Sequence, residues 1–202
     1  MSTATSNKAS MLPRLARKGP VRPRDLDDAG IPRAYLKRLR DRGVLEQVDR
    51  GLYRLGDARM TELSSLAEVS KRIPHAVICL LSALQVHGMT TEVPRAVWVL
   101  IDRHARFPRV TSPKLEVVRA SGAARTDGVE TRIIDGVKVL LTTPAKTVAD
   151  CFRFRRHVGL DVALAALKDY LSKRKGTVDE LVEAARADRI YAFMRPYLEA
   201  LA

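Results

Sequence analysis

Between Pro32 and Arg42 the apolar residues Tyr35, Leu36 and Leu39 fall on one side of a helix wound at about 100° per residue. Arg33, Ala34, Lys37 and Asp41 fall on the other side. Arg38 lies near the edge of that polar face, and Arg40 and Arg42 flank the apolar stripe. Gly30 closes the element before this helix and Gly43 closes the helix itself. The preceding helix is predicted to have Pro23 in its first turn, with Asp25, Asp27 and Asp28 favouring its positive N-terminal end. Earlier still, a helix from about Lys8 to Arg17 stops at Lys18-Gly19-Pro20. Residues 1–7, small and polar, are expected to be disordered. After Gly43 the pattern becomes strand-like. Val44 to Val48 and Leu52 to Leu55 are predicted strands, joined at Asp49-Arg50-Gly51. Two short helices around a glycine turn, then a basic hairpin, outline a winged helix-turn-helix.

Gly56-Asp57-Ala58-Arg59 is the expected linker, with the domain boundary between residues 58 and 59. A helix from about Thr61 to Arg72 then opens a second domain, and Pro74 ends it. A mostly apolar helix is predicted from Ala76 to His87. Strands follow at Ala96 to Ile101, Leu115 to Arg119, Val129 to Ile134 and Val137 to Leu141, the last two joined by the two-residue turn Asp135-Gly136. From Thr143 onward the chain reads as helical. Thr143-Pro144 starts a helix to about Arg155, and another runs from Leu160 to Lys173. Thr177 and Glu180 form a capping box for a third. The last helix spans about Asp188 to Leu201, with Pro196 as a break. The expected fold class is α+β: a winged helix-turn-helix over residues 1–58 and a mixed helix-and-antiparallel-sheet domain over 59–202.

Charge gives the first domain a task. The 202 residues carry a net charge of +13. Residues 1–60 hold 14 Lys and Arg against 7 Asp and Glu, so over half the excess lies in under a third of the chain. Such a balance favours a polyanion, either nucleic acid or an acidic membrane surface. The ordered set of helices and hairpin selects double-stranded DNA. The N-terminal end of the second helix of such a motif meets base edges. Arg33, Ala34, Lys37 and Arg38 are therefore expected at the bases, with Ala34 permitting close approach. Arg40 and Arg42 belong to the same DNA-binding set, and Arg50, at the wing tip, is expected to reach phosphate or the minor groove.

Other classes are disfavoured. No GxSxG, GxGxxG or Walker loop occurs, and His75, His87, His104 and His157 form no metal spacing. Neither a catalytic set, a metal nor a cofactor is expected, and a nuclease would require a carboxylate constellation that is missing around Asp102 and Glu116. Cys79 and Cys151 sit in apolar contexts and are expected as buried free thiols of a reducing compartment. No apolar run approaches the ~18 residues of a membrane span, and the N-terminus lacks the apolar centre of a signal peptide. A cytoplasmic protein is expected. Arg95 to Arg125 is a second basic stretch, with seven Lys and Arg against Asp102 and Glu116. It reads either as a second contact surface for nucleic acid or an acidic protein, or as a solvated rim.

Ser82-Ala83-Leu84, His87-Gly88, the strand after Pro94 and above all Thr143-Pro144-Ala145-Lys146-Thr147-Val148-Ala149-Asp150 resemble the AbiEi antitoxins of type IV toxin–antitoxin (abortive infection) systems. Gly43-Val44-Leu45 and Gly51-Leu52-Tyr53 in the winged helix are similar too. The resemblance implies an N-terminal domain that binds inverted repeats in its own promoter, two molecules per operator, and represses it. It implies a C-terminal domain that counteracts a nucleotidyltransferase-like toxin, directly or indirectly. The antitoxin-domain motif is Thr143, Pro144, Lys146, Thr147 and Asp150. The family's signature commonly has Arg where this chain has Lys146. Lys146 and Asp150 are four apart and predict a pair on one helix face, either supporting the fold or touching the toxin. The alternative is a winged-helix regulator whose second domain senses a ligand or dimerises and has no toxin partner.

Overall fold

The computed structural model describes residues 11–17, 19–57 and 61–201. The expected disorder of 1–7, the helix start at Lys8 and the 58/59 boundary lie outside those residues. Contacts divide the chain into two compact units. One is Met1–Arg72 with Ile133–Lys138, and the other is Ile73–Arg132 with Val139–Ala202.

The first unit holds a helix over residues 11–17 (α1), α2 (Pro23–Asp28), α3 (Ala34–Asp41), strands β1 (Leu45–Asp49) and β2 (Leu52–Leu55), and α4 (Ser64–Arg72). Its core is Leu12, Ala16, Val21, Leu26, Ile31, Leu36, Leu39, Leu45 and Leu55, all buried. These are the apolar positions that the helical and strand periods place inward. Gly43 adopts φ 72°, a left-handed conformation that ends α3 and turns the chain into β1. β1 and β2 pair antiparallel, with a bulge between Gln47 and Asp49. Val21 joins as a short third strand through Val21 N–H to Tyr53 O (2.7 Å) and Tyr53 N–H to Val21 O (2.9 Å).

α4, expected to open the second domain, is grouped with the winged helix instead. Ion pairs account for this. Lys71 reaches Asp25 (2.9 Å), Arg72 reaches Asp49 (2.8 Å), and Arg54 reaches the buried Glu68 (3.3 Å). Arg22 Nη1 also donates to Lys71 O (2.7 Å). A buried carboxylate is costly without a cation, so α4 requires the wing residue Arg54.

The second unit holds β3 (Val77–Ile78), α5 (Leu80–His87), β4 (Val97–Asp102), β5 (Leu115–Ala120) and α6 (Ala123–Thr126). Strands β6 (Val129–Ile134) and β7 (Val137–Thr142) follow, their turn grouped with the first unit. Helices α7 (Pro144–Arg153), α8 (Arg155–Val158), α9 (Leu160–Ser172), α10 (Val178–Ala187) and α11 (Tyr191–Leu201) complete it, and α11 continues through Pro196. The expected helix from Ala76 to His87 is corrected: its first part is strand β3, and the helix starts at Leu80.

The α+β class holds, with one detail corrected: the five-stranded sheet is not wholly antiparallel. Its order is β5-β4-β3-β7-β6. β3 is antiparallel to β4, but β3–β7 and β4–β5 are parallel. Residues 103–114 between β4 and β5 are long enough for the crossover that a parallel pair needs. The core combines Leu80, Leu84, Leu100, Val148, Phe152, Leu167, Tyr170, Met194 and others from sheet and helices.

Candidate nucleic-acid interface and the buried signature

α3 buries Leu36 and Leu39 and leaves the opposite side in solvent. Arg33, Ala34, Lys37, Arg38, Arg40 and Arg42 are all exposed, as is Arg50 at the wing turn. The helix starts at Ala34, and Arg33 stands at its N-cap. Arg33 is occupied: its Nε and Nη2 donate to the two oxygens of Asp27, at 2.9 and 2.5 Å. This fork raises the Arg33 pKa and lowers that of Asp27, first through the hydrogen bonds and then through charge. Arg40 donates to Gln47 Oε1 (3.2 Å) and Asp41 (3.3 Å), tying helix to wing. Among the described residues no ion pair engages Lys37, Arg38 or Arg42. The arrangement is an exposed basic surface beside a hairpin.

The signature lies elsewhere and faces inward. Thr143 caps α7, its hydroxyl accepting from Lys146 N–H (3.3 Å), and Pro144 occupies the first turn. Thr147 Oγ1 lies 2.7 Å from Thr142 Oγ1 and donates to Thr143 O (2.8 Å). Lys146 is 1% exposed. Its Nζ donates to Asp150 Oδ1 (2.5 Å) and Asp188 Oδ1 (2.7 Å), so the pair predicted on α7 gains a third member. Arg153 flanks Asp188 at 3.7 Å. The second oxygens of Asp150 and Asp188 have no hydrogen-bond partner among the described residues. Gly128, at φ 65°, lets the backbone pass close: a β-carbon there would lie 2.7 Å from Lys146 Cβ.

Ser82 and His87, also part of the resemblance, are internal too. Ser82 Oγ accepts from Trp98 N–H (3.0 Å), and buried His87 donates from Nε2 to Thr142 O (2.7 Å). Burial lowers the His87 pKa despite that carbonyl. Cys79 and Cys151 are buried free thiols whose pKa burial raises.

One lysine faces two carboxyls in a buried site, and this sets a pH dependence. Burial pushes Asp150 up to about 8, against the pull of Lys146 and with the push of Asp188. Burial alone would lower Lys146, but the two carboxylates overcome it and raise its pKa. A folded pKa above the unfolded value means that the folded state binds the extra proton. Stability from Asp150 is therefore fully present below its ordinary 3.8 and lost as pH rises through about 8. Denaturant titrations at stepped pH should show this decline, and Asp150→Asn should remove its part of the slope. A wild-type slope unchanged in Asp150→Asn would refute the assignment.

Among the described residues no group of three or more His, Cys, Asp or Glu is placed to hold a metal ion. No helix there is long and apolar enough to cross a membrane.

The exposed basic helix and its hairpin form a winged helix-turn-helix. Residues 10–56 match the family described as transcriptional regulator, AbiEi antitoxin, so the resemblance read from the sequence is shown over the winged helix. That family is regulatory rather than catalytic. No curated protein matches the chain. Among solved structures, the crystal structure of the RV2827C protein from Mycobacterium tuberculosis is similar, with a TM-score of 0.61 at 17% identity. The match covers 100% of this chain and 83% of that one, and it shows a shared fold.

Proposed function

We propose that the protein is a DNA-binding autorepressor and an antitoxin that counteracts a nucleotidyltransferase-like toxin. The observation that carries the DNA half is the exposed set Lys37 and Arg38 on α3 with Arg42 at its C-cap, within the segment that matches a regulatory family. Arg33, Ala34, Arg40 and Arg50 complete the surface. A single short helix covers few base pairs, so specificity among genomic sites calls for two molecules on an inverted repeat. Half-sites one helical turn, or a multiple, apart are expected. Footprinting on the DNA upstream of the protein's own gene tests this, and one unrepeated half-site protected at saturation counts against it.

The antitoxin half rests on the family match and on the sequence resemblance of the second unit. The signature supports the fold there: Thr143, Lys146, Thr147 and Asp150 spend their polar groups internally. A toxin contact belongs to exposed side chains of α9 and the turn that follows it, such as Lys168, Lys173 and Arg174. Co-expression with the product of an adjacent nucleotidyltransferase gene is the test. Growth rescue by the wild type, retained with alanines on α3, is the expected result. Failure of the wild type to rescue leaves a regulator without a toxin partner.

A further inference from the structure

Strand β6 is an outermost strand of the five-stranded sheet, bonded to β7 on one side only. Among the described residues, none of its backbone groups bonds outside the sheet ladder. Such an edge is a template for another strand, and proteins usually blunt it with charges that repel a second copy. β6 carries charges of a different kind. It reads Val129-Glu130-Thr131-Arg132-Ile133-Ile134, and Glu130 and Arg132 share one face, Arg132 Nε lying 2.7 Å from Glu130 Oε1. Thr131 and Arg132 are exposed, and Ile133 is 70% exposed, a large aliphatic side chain left in water.

Laid antiparallel against itself with Thr131 opposite Thr131, this strand is self-complementary. Glu130 then faces Arg132 of the second copy, and Arg132 faces Glu130. Val129 faces Ile133 on the other side of the ribbon. Opposite charges, paired threonines and paired aliphatics are the cross-strand combinations that stabilise antiparallel sheets. The register is also selected. Moving one residue along each strand in either direction puts Glu130 opposite Glu130, or Arg132 opposite Arg132, and like charges directly opposite are unfavourable. The resulting interface is isologous, the same patch on both molecules about a two-fold axis.

We propose that β6 is the surface through which two copies of this chain associate, edge to edge and antiparallel, about a two-fold axis at Thr131. The association needs no DNA, so it stands or falls separately from the repressor reading. One strand pair buries less than a standard interface, so the dimer is weak and populated at high protein concentration.

The axis gives a direct test on the full chain. Both native cysteines are fully buried, so an introduced thiol reports alone. Thr131→Cys should become a covalent dimer on mild oxidation, because that position meets itself. Lys138→Cys, exposed on β7 away from the edge, should not. Sedimentation equilibrium supplies the second arm. Arg132→Glu alone and Glu130→Arg alone should each be monomeric where the wild type self-associates. An equimolar mixture of the two should associate again, as should the double variant Glu130→Arg/Arg132→Glu, and recovery shows that the variants fold. The proposal is overturned if Thr131→Cys crosslinks no faster than Lys138→Cys. It is equally overturned if the single charge variants associate as the wild type does, or if the mixture stays monomeric.

Discussion

Replacing Lys146 by methionine should destabilise the second unit by about 3–5 kcal/mol, the range for removing one partner of a buried ion pair. The substitution keeps most of the side-chain volume, so the loss is electrostatic rather than a cavity. Asp150 and Asp188, 1% and 3% exposed, would keep two carboxyls in a buried site with Arg153 at its edge. Each would have to take a proton or admit water. In chemical denaturation the midpoint should fall with little change in slope. A second change should give part of this back: Lys146→Met/Asp150→Asn removes one of the two stranded carboxyls. Lys146→Arg is the informative conservative variant. A guanidinium offers parallel donors, and the second oxygens of Asp150 and Asp188 are without hydrogen-bond partners. It should cost far less than methionine. Gly128→Ala should act on the same site from outside, because its new methyl meets Lys146 and its φ of 65° disfavours a side chain. If Lys146→Met unfolds at the wild-type midpoint, the cluster is not what holds α7 against the helix end at Asp188.

Some of this was legible in the chain and some was not, for physical reasons. Local signals read well. Tyr35, Leu36 and Leu39 gave α3 its buried side, Asp135-Gly136 marked the β6–β7 turn, and Thr177 with Glu180 made the capping box that the structure shows. Continuous apolar runs read poorly. Val77-Ile78 sits in the same unbroken stretch as α5, and periodicity cannot separate a buried strand from a buried helix there. Partners distant in sequence were invisible. Lys146 and Asp150 are four apart and predict a pair, but Asp188, which completes the cluster, enters from the C-terminal end of α10. Glu68 likewise depends on Arg54 across a segment that reads as a linker, which is why α4 looked like the start of a new domain. The Asp27 clamp on Arg33 crosses the turn between α2 and α3, where charge counting sees only an acidic helix start beside a basic helix.

That clamp shapes the second large effect expected, on DNA binding. Arg33→Ala/Lys37→Ala/Arg38→Ala should weaken binding to the protein's own upstream DNA steeply while leaving the fold intact, because all three side chains are exposed. Two kinds of contact would be lost, and salt separates them. A phosphate contact lowers affinity for every sequence and flattens the dependence of log affinity on log salt by about 0.9 per charge. A base contact costs about 1–3 kcal/mol and relaxes specificity at one position. Lys37 and Arg38 carry no competing ion pair among the described residues, so their single alanines should show these effects in full. Arg33 must first leave Asp27, so Arg33→Ala should have the smallest effect of the three. The same reasoning gives an effect of opposite sign. Asp27→Asn removes a carboxylate beside the phosphates and frees the guanidinium, so it should tighten binding and steepen the salt dependence. Fluorescence anisotropy with labelled upstream DNA over a series of salt concentrations measures all of these. A folded triple variant that bound as tightly as the wild type would remove α3 from the interface. A weaker Asp27→Asn variant would show that the fork is the form in which Arg33 meets DNA, holding its side chain in place rather than holding it back.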